Sequence, residues 1–518
     1  MEIVQNKALV LKTKNPHLVT EQIEKSAVVG NDGEYHKVAV NWDLENAQAL
    51  NAIGVRDVPS PIDRDYKWSG KLTPFDHQRT TSGFLTLNKK GFCFNEQGTG
   101  KTASVIWSCD YLMKRGDIKR VLVICPLSIM KSAWQQDLFK FAMHRSCSVA
   151  YGDARARKKI INAGSEFVII NYDGLAIVKD DILAGKFDMV VVDEATHYKN
   201  PTTNRWKVLK KVMDSGIEWL WMLTGTPAAQ SPLDAYGIAK LVNPDGLPKA
   251  YGAFRDKVMY KVTQFKWVPK PGYQDTVHKV LQPAIRFLKK DCLDLPPVTH
   301  VDREAPLTKQ QLKYYNELKK EMLIEAAGEE ISAVNAAAQI NKLLQISGGA
   351  VYTDTRDVIE FDVTNRLNAV LEIIEEASQK VLVFVPFTHT IELLQEFLLK
   401  KKVSCEVING KVSVNNRADR IQRFQEQDDP QVLILQPQAA SHGLTLTAAD
   451  TIIWYAPITS VETYLQANAR IDRPGQEHPM TIMHIKGSPV EQRLYDMLQG
   501  NISNHNKILD LYKEEVEI

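Results

Sequence analysis

The stretch NEQGTGKT, residues 95–102, decides how this 518-residue chain is interpreted. It follows a short apolar run at 91–94 and precedes a predicted helix, Ala103–Lys114. A glycine-rich turn between a strand and a helix points successive backbone N–H groups into one concavity, which binds phosphate oxygens. The alternative is an ordinary glycine turn with an exposed lysine, because Asn95 stands where the phosphate-loop pattern has glycine.

If residues 95–102 form a phosphate loop, each part of the turn has a role. The backbone at Gly98, Thr99 and Gly100 surrounds the phosphates, and Lys101 reaches the outer ones. The Thr102 hydroxyl is placed to hold Mg²⁺. The stretch therefore predicts a nucleotide and Mg²⁺ as ligands.

Short apolar runs alternate with helical stretches on both sides of a break near residue 243. Strands are predicted at 121–125, 167–170, 189–192, 219–223, 381–385, 405–409, 432–435, 451–455 and 481–485, and helices at 129–141, 204–213, 367–377, 391–400 and 417–425. Such alternation favours parallel sheets covered on both faces, with functional loops at the carboxyl ends of the strands. The predicted class is α/β, with two lobes of which only the first has a phosphate loop.

The predicted domain organisation has five parts. They are a small accessory region at 1–60 with two strands (8–12 and 37–42) and a helix (44–53), a first lobe at 61–245, an insertion and helical connecting region at 246–360, a second lobe at 361–500, and a C-terminal helix and acidic tail at 501–518. Nothing in the accessory region carries recognisable chemistry.

Composition limits the class and the location of the protein. A hydrophobic content of 44% with 24% charged residues is typical of a soluble globular chain, and no apolar stretch is long enough to cross a bilayer. None of the six cysteines forms a C-x-x-C pair, which favours reduced thiols, a cytoplasmic location and no zinc site. With a net charge of +2, nucleic acid would be bound through local patches.

Two further motifs of the first lobe suggest nucleotide chemistry. In VVVDEATH, residues 190–197, an apolar strand ends in Asp193, suited to hold Mg²⁺, and Glu194, suited to polarise the attacking water. The alternative is an acidic helix cap. In LTGTP, residues 223–227, small hydroxyl residues could sense the γ-phosphate, or the stretch is a plain loop.

The amide of Gln78, in LTPFDHQ at 72–78, could read an adenine edge while Phe75 stacks on the base.

In the second lobe, QANARIDRPGQ at 466–476 sets Arg470 and Arg473 three residues apart, which predicts that both lie on one helical face. Their guanidinium groups would neutralise charge on a transferred phosphoryl group once the lobes close. The alternative is a solvated Arg/Asp helix end. SHGLTL at 441–446 is a small-residue loop around Gly443, suited to close backbone approach.

Together these motifs resemble the Swi/Snf-type ATPases of helicase superfamily II, over about residues 70–500. The resemblance implies two RecA-like lobes with helical insertions between them, ATP and Mg²⁺ as ligands, and ATP-driven translocation along double-stranded DNA. It also implies that Gln466 joins the two arginines, and that Gly443 belongs to a nucleotide-contacting loop. The chain departs from the family in the order of its acidic motif, because Thr196 precedes His197. The short length favours a compact bacterial or viral motor.

The sequence is compatible with three functions: a double-strand DNA translocase that remodels DNA structures or DNA-bound proteins, a strand-separating DNA or RNA helicase, and a nucleotide-gated scaffold for a replication or transcription protein. Single-stranded DNA and RNA are therefore alternative partners, no membrane is expected, and a monomer is expected. The candidate DNA-contacting patches are 155–159, 205–211, 261–270 and 286–290, and the third interleaves Phe265 and Trp267 with basic residues.

Overall fold

The structure is a computed structural model that describes residues 1–500 except 71, 226, 229–230, 264–266, 329–332, 353–357 and 441–444. Four predicted features therefore lie outside the described residues: Thr226, Phe265, Gly443 and the C-terminal helix with its tail. The chain divides into two compact units, Met1–Cys292 and Leu293–Ile518. Within the described ranges, no helix has both the length and the apolar character needed to span a membrane.

The first unit begins with a four-stranded antiparallel sheet in the order β1-β2-β4-β3. Its elements are β1 (Glu2–Val4), β2 (Ala8–Thr13), α1 (His17–Thr20), β3 (Ser26–Asp32), β4 (Tyr35–Asn41), α2 (Leu44–Ala52) and α3 (Ile62–Asp65). Leu9 and Leu11 on β2 are buried together with Val38 and Val40 on β4, the alternation expected of a sheet with one covered face. The strands and the helix predicted for this region are confirmed.

A seven-stranded parallel sheet forms the core of the first unit. Its strands, with a separate hairpin, are β5 (Lys90–Cys93), β6 (Val121–Cys125), β7 (Cys147–Ala150), β8 (Phe167–Asn171), β9 (Met189–Asp193), β10 (Trp219–Leu223), the hairpin β11 (Met259–Lys261) and β12 (Trp267–Pro269), and β13 (Ala284–Ile285). The order is β13-β5-β10-β9-β6-β8-β7. Alternate residues of β6 enter two different hydrophobic clusters, so both faces of the sheet are covered.

The helices of the first unit follow the strands in the alternation predicted for parallel sheets. They are α4 (Asp76–Leu87), α5 (Lys101–Arg115), α6 (Gln136–Phe141), α7 (Ala154–Asn162), α8 (Tyr172–Ile177), α9 (Lys179–Ala184), α10 (Asn204–Met213), α11 (Asp234–Val242), α12 (Tyr251–Val258), α13 (Tyr273–Val280) and α14 (Lys289–Cys292). The helix predicted at 129–141 is divided into a 3₁₀ turn at Leu127–Ile129, a π-helical turn at Met130–Gln135, and α6.

The second unit contains a six-stranded parallel sheet in the order β14-β21-β20-β17-β19-β18. Its strands, with a separate hairpin, are β14 (Val298–Glu304), the hairpin β15 (Ala350–Tyr352) and β16 (Val358–Glu360), β17 (Lys380–Phe384), β18 (Cys405–Ile408), β19 (Val432–Leu435), β20 (Ala449–Trp454) and β21 (Met480–Lys486). Its helices are α15 (Lys309–Gly328), α16 (Ala333–Gly348), α17 (Thr364–Glu376), α18 (Thr388–Lys400), α19 (Val414–Glu426), α20 (Pro437–Ala440), α21 (Val461–Asn468) and α22 (Pro489–Leu498).

Alternate residues of β17 also enter two separate clusters, so this second sheet is likewise covered on both faces. Two parallel sheets, each between layers of helices, form two RecA-like lobes. The predicted fold class is confirmed.

Candidate active site

The carboxyl ends of three neighbouring strands are level in the first sheet. Leu223, the last residue of β10, pairs with Cys93 of β5 on one side and with Asp193 of β9 on the other. The phosphate loop begins two residues after Cys93, and the acidic pair begins at Asp193. Parallel register alone therefore brings three of the predicted motifs to one edge of the sheet.

The turn from β5 to α5 depends on two glycines. Gly98 and Gly100 have φ values of 85° and 77°, in the left-handed region that glycine adopts at little cost, and α5 begins at Lys101. A Cβ added at Gly100 would lie 2.1 Å from Nε2 of Gln78, so a larger residue would also displace the Gln78 side chain.

Lys101 lies folded against the loop that precedes it. Its Nζ donates hydrogen bonds to the carbonyl oxygens of Asn95 (2.8 Å) and Glu96 (3.0 Å). The Thr99 hydroxyl donates to the same Glu96 carbonyl at 2.8 Å. Neutral carbonyl oxygens thus hold the Lys101 ammonium group beside the turn. A charged phosphate oxygen is a stronger hydrogen-bond acceptor and would replace them.

The acidic pair is held from several sides. One carboxylate oxygen of Asp193 accepts from Nε1 of Trp134 at 2.9 Å, and the other accepts from the backbone N–H of Glu194 at 3.0 Å. The hydroxyl of Tyr172 donates to the Asp193 carbonyl at 2.6 Å. Burial raises the pKa of the Asp193 carboxyl, while the Trp134 hydrogen bond and the charge of Lys101 oppose that rise.

Glu194 lies at the turn after β9 with φ 50° and ψ 59°, a left-handed conformation that is uncommon for a residue with a side chain. The Oε1 atom of its carboxylate accepts a hydrogen bond from Nε2 of Gln97 at 3.1 Å. Because Gln97 lies inside the phosphate loop, this bond links the loop to the predicted water-activating acid.

The LTGTP stretch packs beside the same loop. The N–H of Thr224 donates to the carbonyl of Cys93 at 3.1 Å, which extends the pairing of β10 with β5 by one residue. A Cβ added at Gly225 would lie 3.6 Å from the backbone nitrogen of Gln97. The LTGTP stretch therefore lies within van der Waals range of the phosphate loop. The sequence had predicted a functional link between the two, without this direct contact.

The predicted adenine reader contacts the phosphate loop directly. Gln78 accepts a hydrogen bond from the N–H of Phe75 at 3.0 Å and donates to the carbonyl of Thr99 at 3.2 Å. His77 also contacts the Thr99 carbonyl, at 2.8 Å, and its ring stacks on Phe75 with centroids 5.6 Å apart. Phe287 packs on His77 at 5.9 Å. Phe75, 47% exposed, supplies an aromatic surface beside the loop.

Asn95, the departure from the phosphate-loop pattern, has a structural explanation. Its buried amide donates to the hydroxyl of Thr81 on α4 at 2.8 Å and accepts from the N–H of Phe287 at 3.0 Å. The Glu96 N–H donates to the Phe287 carbonyl, and the Glu96 carboxylate accepts from the N–H of Lys289 at 2.9 Å. Glycine at position 95 would remove the bridge between α4 and the segment that follows β13.

The oxygen donors near the loop suit Mg²⁺. The ion in nucleotide sites is commonly held by one or two carboxylates together with substrate phosphates, and Asp193 and the Thr102 hydroxyl supply hard oxygen donors of this kind. In the part of the chain that the structure describes, no group of three or more His, Cys, Asp or Glu side chains is arranged as a metal site.

His197, which follows Thr196, packs on an aromatic neighbour. Its ring lies 4.6 Å from that of Tyr172, and Arg205 lies over the Tyr172 ring at 4.9 Å. Burial, and then the nearby charge of Arg205, lower the pKa of His197 to about 4. At neutral pH the imidazole is therefore uncharged, and it packs as an aromatic group.

The arginines of the second unit do not lie on one helical face, so that prediction is wrong. Helix α21 ends at Asn468, and both arginines lie in the turns after it. Nε of buried Arg470 donates to the Gln466 carbonyl at 2.8 Å, and Nε of Arg473 donates to the Ala469 carbonyl at 2.8 Å. Gln466 thus contacts Arg470 through its backbone carbonyl, while its side-chain amide donates to Glu462 at 3.3 Å.

The predicted basic patches differ in how much charge they present. The guanidinium of Arg157 is buried and donates to the carbonyls of Gly152 and Ala150, so it supports the fold. The indole of Trp267, in the hairpin β11–β12, lies under the guanidinium of Arg255 at 3.8 Å. An intrachain cation–π contact thus covers one face of the aromatic ring expected to meet DNA.

Several residues of the site were missed from the sequence. Trp134, Gln97 and Phe287 each make a contact that holds a predicted motif in place. Only Asn95 gave a sequence signal, as a departure from the expected glycine. The other contacts depend on strand order and on the π-helical turn.

A phosphate loop level with an acidic pair, in the first of two RecA-like lobes, defines a nucleotide-binding core. The chain belongs to the SNF2-related family: the SNF2-related domain matches residues 35–349, and the helicase conserved C-terminal domain matches residues 365–475. The predicted resemblance to Swi/Snf-type proteins is confirmed.

Similar proteins occur in bacteria, phages and animals. The chain is 27% identical over 411 residues to an uncharacterized ATP-dependent helicase of Mycoplasma genitalium, covering 78% of this chain and 39% of that protein. It is 26% identical over 438 residues to chromodomain-helicase-DNA-binding protein 1-like of Mus musculus, covering 80% and 47%. Protein p41 of Acyrthosiphon pisum secondary endosymbiont phage 1 is 26% identical over 452 residues, covering 80% and 93%. This chain thus spans less than half of the first two proteins and nearly all of the third.

Among solved structures, the SWI2/SNF2 ATPase core of Sulfolobus solfataricus in complex with dsDNA is 21% identical with a TM-score of 0.43. The match covers 87% of this chain and 97% of that one.

The bridge made by Asn95 is testable by restoring the glycine of the general pattern. We expect Asn95→Gly to lower the free energy of unfolding by about 1–3 kcal/mol, because two buried hydrogen bonds of about 0.5–1.5 kcal/mol each are lost. Amide hydrogen exchange should become faster in peptides covering 283–289. Peptides of the antiparallel sheet at 1–41 provide the internal control, and unchanged exchange at 283–289 would contradict the bridge.

Proposed function

We propose that this chain is an ATP-hydrolysing, DNA-dependent motor that translocates on double-stranded DNA and remodels DNA structures or DNA-bound proteins. The observation that carries the proposal is the hydrogen bond from Gln97 in the phosphate loop to Glu194 in the acidic pair. It joins the two parts that a nucleoside-triphosphate hydrolase needs close together, the phosphate-binding turn and a carboxylate able to orient water. We infer a cytoplasmic location in a bacterial or virus-infected cell, and a monomer.

Nucleotide binding begins at the loop. The backbone N–H groups around Gly98, Thr99 and Gly100 bind phosphate oxygens at the start of α5, where the helix dipole favours negative charge. Lys101 exchanges its carbonyl partners, Asn95 and Glu96, for the outer phosphates. Gln78 and Phe75, which already flank the loop, read and stack on the adenine.

Hydrolysis is assigned to the acidic pair. Glu194 orients and polarises the attacking water, and the bond from Gln97 keeps its carboxylate directed toward the loop. Asp193 and Thr102 would hold Mg²⁺, which when bound neutralises charge on the β- and γ-phosphates. Thr224 and Gly225, packed against the loop, are placed to respond to the state of the γ-phosphate.

The second unit contributes arginines. We propose that Arg470 and Arg473 stabilise the negative charge that develops during phosphoryl transfer, with Gln466 holding Arg470 through its carbonyl. The backbone N–H of Leu446 donates to the Arg470 carbonyl at 3.0 Å, so the last residue of the SHGLTL motif contacts the arginine turn. Gly443 belongs to this proposed nucleotide-contacting loop.

Duplex DNA is the proposed track. The family supports this proposal, since the mouse relative carries DNA binding in its name. With a net charge of +2, contact relies on local patches such as Lys207 and Lys211, which are exposed on α10. Phosphate contacts of this kind give affinity without sequence preference and a strong dependence on salt.

Two substitutions separate binding from hydrolysis. We expect Lys101→Ala to abolish binding of a fluorescent ATP analogue, because the cation at the phosphates is lost. We expect Glu194→Gln to bind the analogue normally and to reduce kcat about 10²–10⁴-fold, the usual contribution of a general base. Equilibrium binding and steady-state phosphate release measure the two effects, and normal turnover by Glu194→Gln would exclude its assigned role.

The arginine assignment predicts a different defect. Arg473→Ala should keep the nucleotide affinity of the first unit within about twofold and lower kcat at least about 10³-fold, the range of a lost arginine finger. Arg423→Ala, which removes an exposed arginine paired with Glu406 on the same unit, is the matched control and should turn over normally. Equal kcat values for the two variants would remove Arg473 from the mechanism.

The DNA track is tested by measuring ATP hydrolysis with no nucleic acid, duplex DNA, single-stranded DNA or RNA, at low and moderate salt. We expect duplex DNA to stimulate hydrolysis most, and its apparent affinity to fall steeply as salt rises. Stimulation by single strands or RNA alone would favour a strand-separating helicase. Unchanged turnover in all four conditions would favour a scaffold regulated by a protein partner.

A further inference from the structure

We propose that Trp134 is a positioning residue for the metal-binding carboxylate, and this inference rests on the proposed function of Asp193. Trp134 is completely buried, and its indole Nε1 lies 2.9 Å from Oδ2 of Asp193. An indole has one N–H donor and cannot coordinate a cation, so its role toward Mg²⁺ is to orient the acid that does. None of the motifs in the sequence includes this tryptophan.

The bond completes the restraint of the Asp193 carboxylate. The backbone N–H of Glu194 donates to Oδ1 at 3.0 Å, and the Tyr172 hydroxyl donates to the Asp193 carbonyl at 2.6 Å. Without the indole, the Glu194 N–H would be the one remaining hydrogen-bond donor to this carboxylate among the residues that the structure describes. A ligand for Mg²⁺ must be held within about half an ångström of its productive position, because this ion requires near-ideal octahedral geometry.

An unusual turn of the backbone places Trp134 beside Asp193. Strand β6 lies beside β9 in the sheet, with Ile124 paired to Val192, so the chain leaving β6 passes the end of β9. It then forms the 3₁₀ turn and the π-helical turn at Met130–Gln135 before α6 begins. A π-helical turn is rare and is frequently found at functional sites. This turn directs the indole toward Asp193.

The alternative is that Trp134 only fills the core, since it belongs to the large hydrophobic cluster on one face of the first sheet. A core role requires the ring system, whereas a positioning role requires the N–H. The two roles therefore predict different results when the N–H is removed and the ring is kept.

Trp107 is a matched control for this distinction. It is equally buried in the same unit, and its Nε1 donates at 2.8 Å to the carbonyl of Ser69, a neutral acceptor away from the acidic pair. Trp107→Phe thus removes the same kind of buried indole N–H without changing the environment of Asp193. Any effect on folding that is common to both variants can be subtracted.

The experiment measures binding of a non-hydrolysable fluorescent ATP analogue to the full chain while free Mg²⁺ is varied. We expect Trp134→Phe to raise the Mg²⁺ concentration for half-maximal tight binding about 10–100-fold, as is usual when a partner of a metal ligand is lost. Binding of the analogue without Mg²⁺ should not change. Mn²⁺, which binds oxygen and nitrogen sites more tightly, should restore most of the loss. Trp107→Phe should show the wild-type Mg²⁺ dependence.

A wild-type Mg²⁺ dependence in Trp134→Phe, or an equal shift in both tryptophan variants, would overturn the inference. If Trp134→Phe does not fold, replacing the indole by benzothienylalanine removes the N–H with the shape nearly unchanged, and the same outcomes apply. Asp193→Asn separates this result from the proposed function. If Asp193→Asn also keeps the wild-type Mg²⁺ dependence, the metal site itself is wrongly assigned.

Discussion

The level carboxyl ends of β5, β10 and β9 are the constraint on which the candidate site depends. Because Leu223 pairs with both Cys93 and Asp193, the phosphate loop, the LTGTP stretch and the acidic pair emerge side by side. A shift of one residue in either pairing would turn each side chain of the strand to the opposite face of the sheet. All five residues of β10 are buried, which makes such a shift very unfavourable and so preserves the geometry of the site.

The elements with a strong apolar pattern could be predicted from the sequence. Strands such as β6 and β10 are buried along their whole length and read as continuous apolar runs. Within the two parallel sheets, three strands were missed for physical reasons. β13 has only two residues, β7 has four that are mostly half-buried, and β14 is exposed at six of its seven positions, so it carries no apolar signal. The candidate chemical residues of the first unit could be proposed from the sequence because each motif is local in the chain. The contacts of Trp134 and Gln97 were not, because they join segments 59 and 97 residues apart.

The arginine turn of the second unit shows how tertiary contacts override local preference. No helix breaker occurs between Gln466 and Asp472, and residue spacing therefore predicted a continued helix. The helix instead ends at Asn468, whose buried side chain accepts a hydrogen bond from Nε1 of Trp454 at 2.9 Å. The Arg470 carbonyl then accepts from Leu446, so a partner distant in sequence replaces the continued ladder of the helix.

The short strand β13 has a consequence for biosynthesis. The N–H groups of Phe92, Phe94 and Glu96 donate to the carbonyls of Pro283, Ile285 and Phe287, which are synthesised about 190 residues later. During translation, the strand that leads into the phosphate loop remains a sheet edge until those residues leave the ribosome. An unpaired edge is a site for incorrect pairing with other chains. The first unit therefore completes its fold late, and until residues 283–287 are synthesised this edge stays open to incorrect pairing.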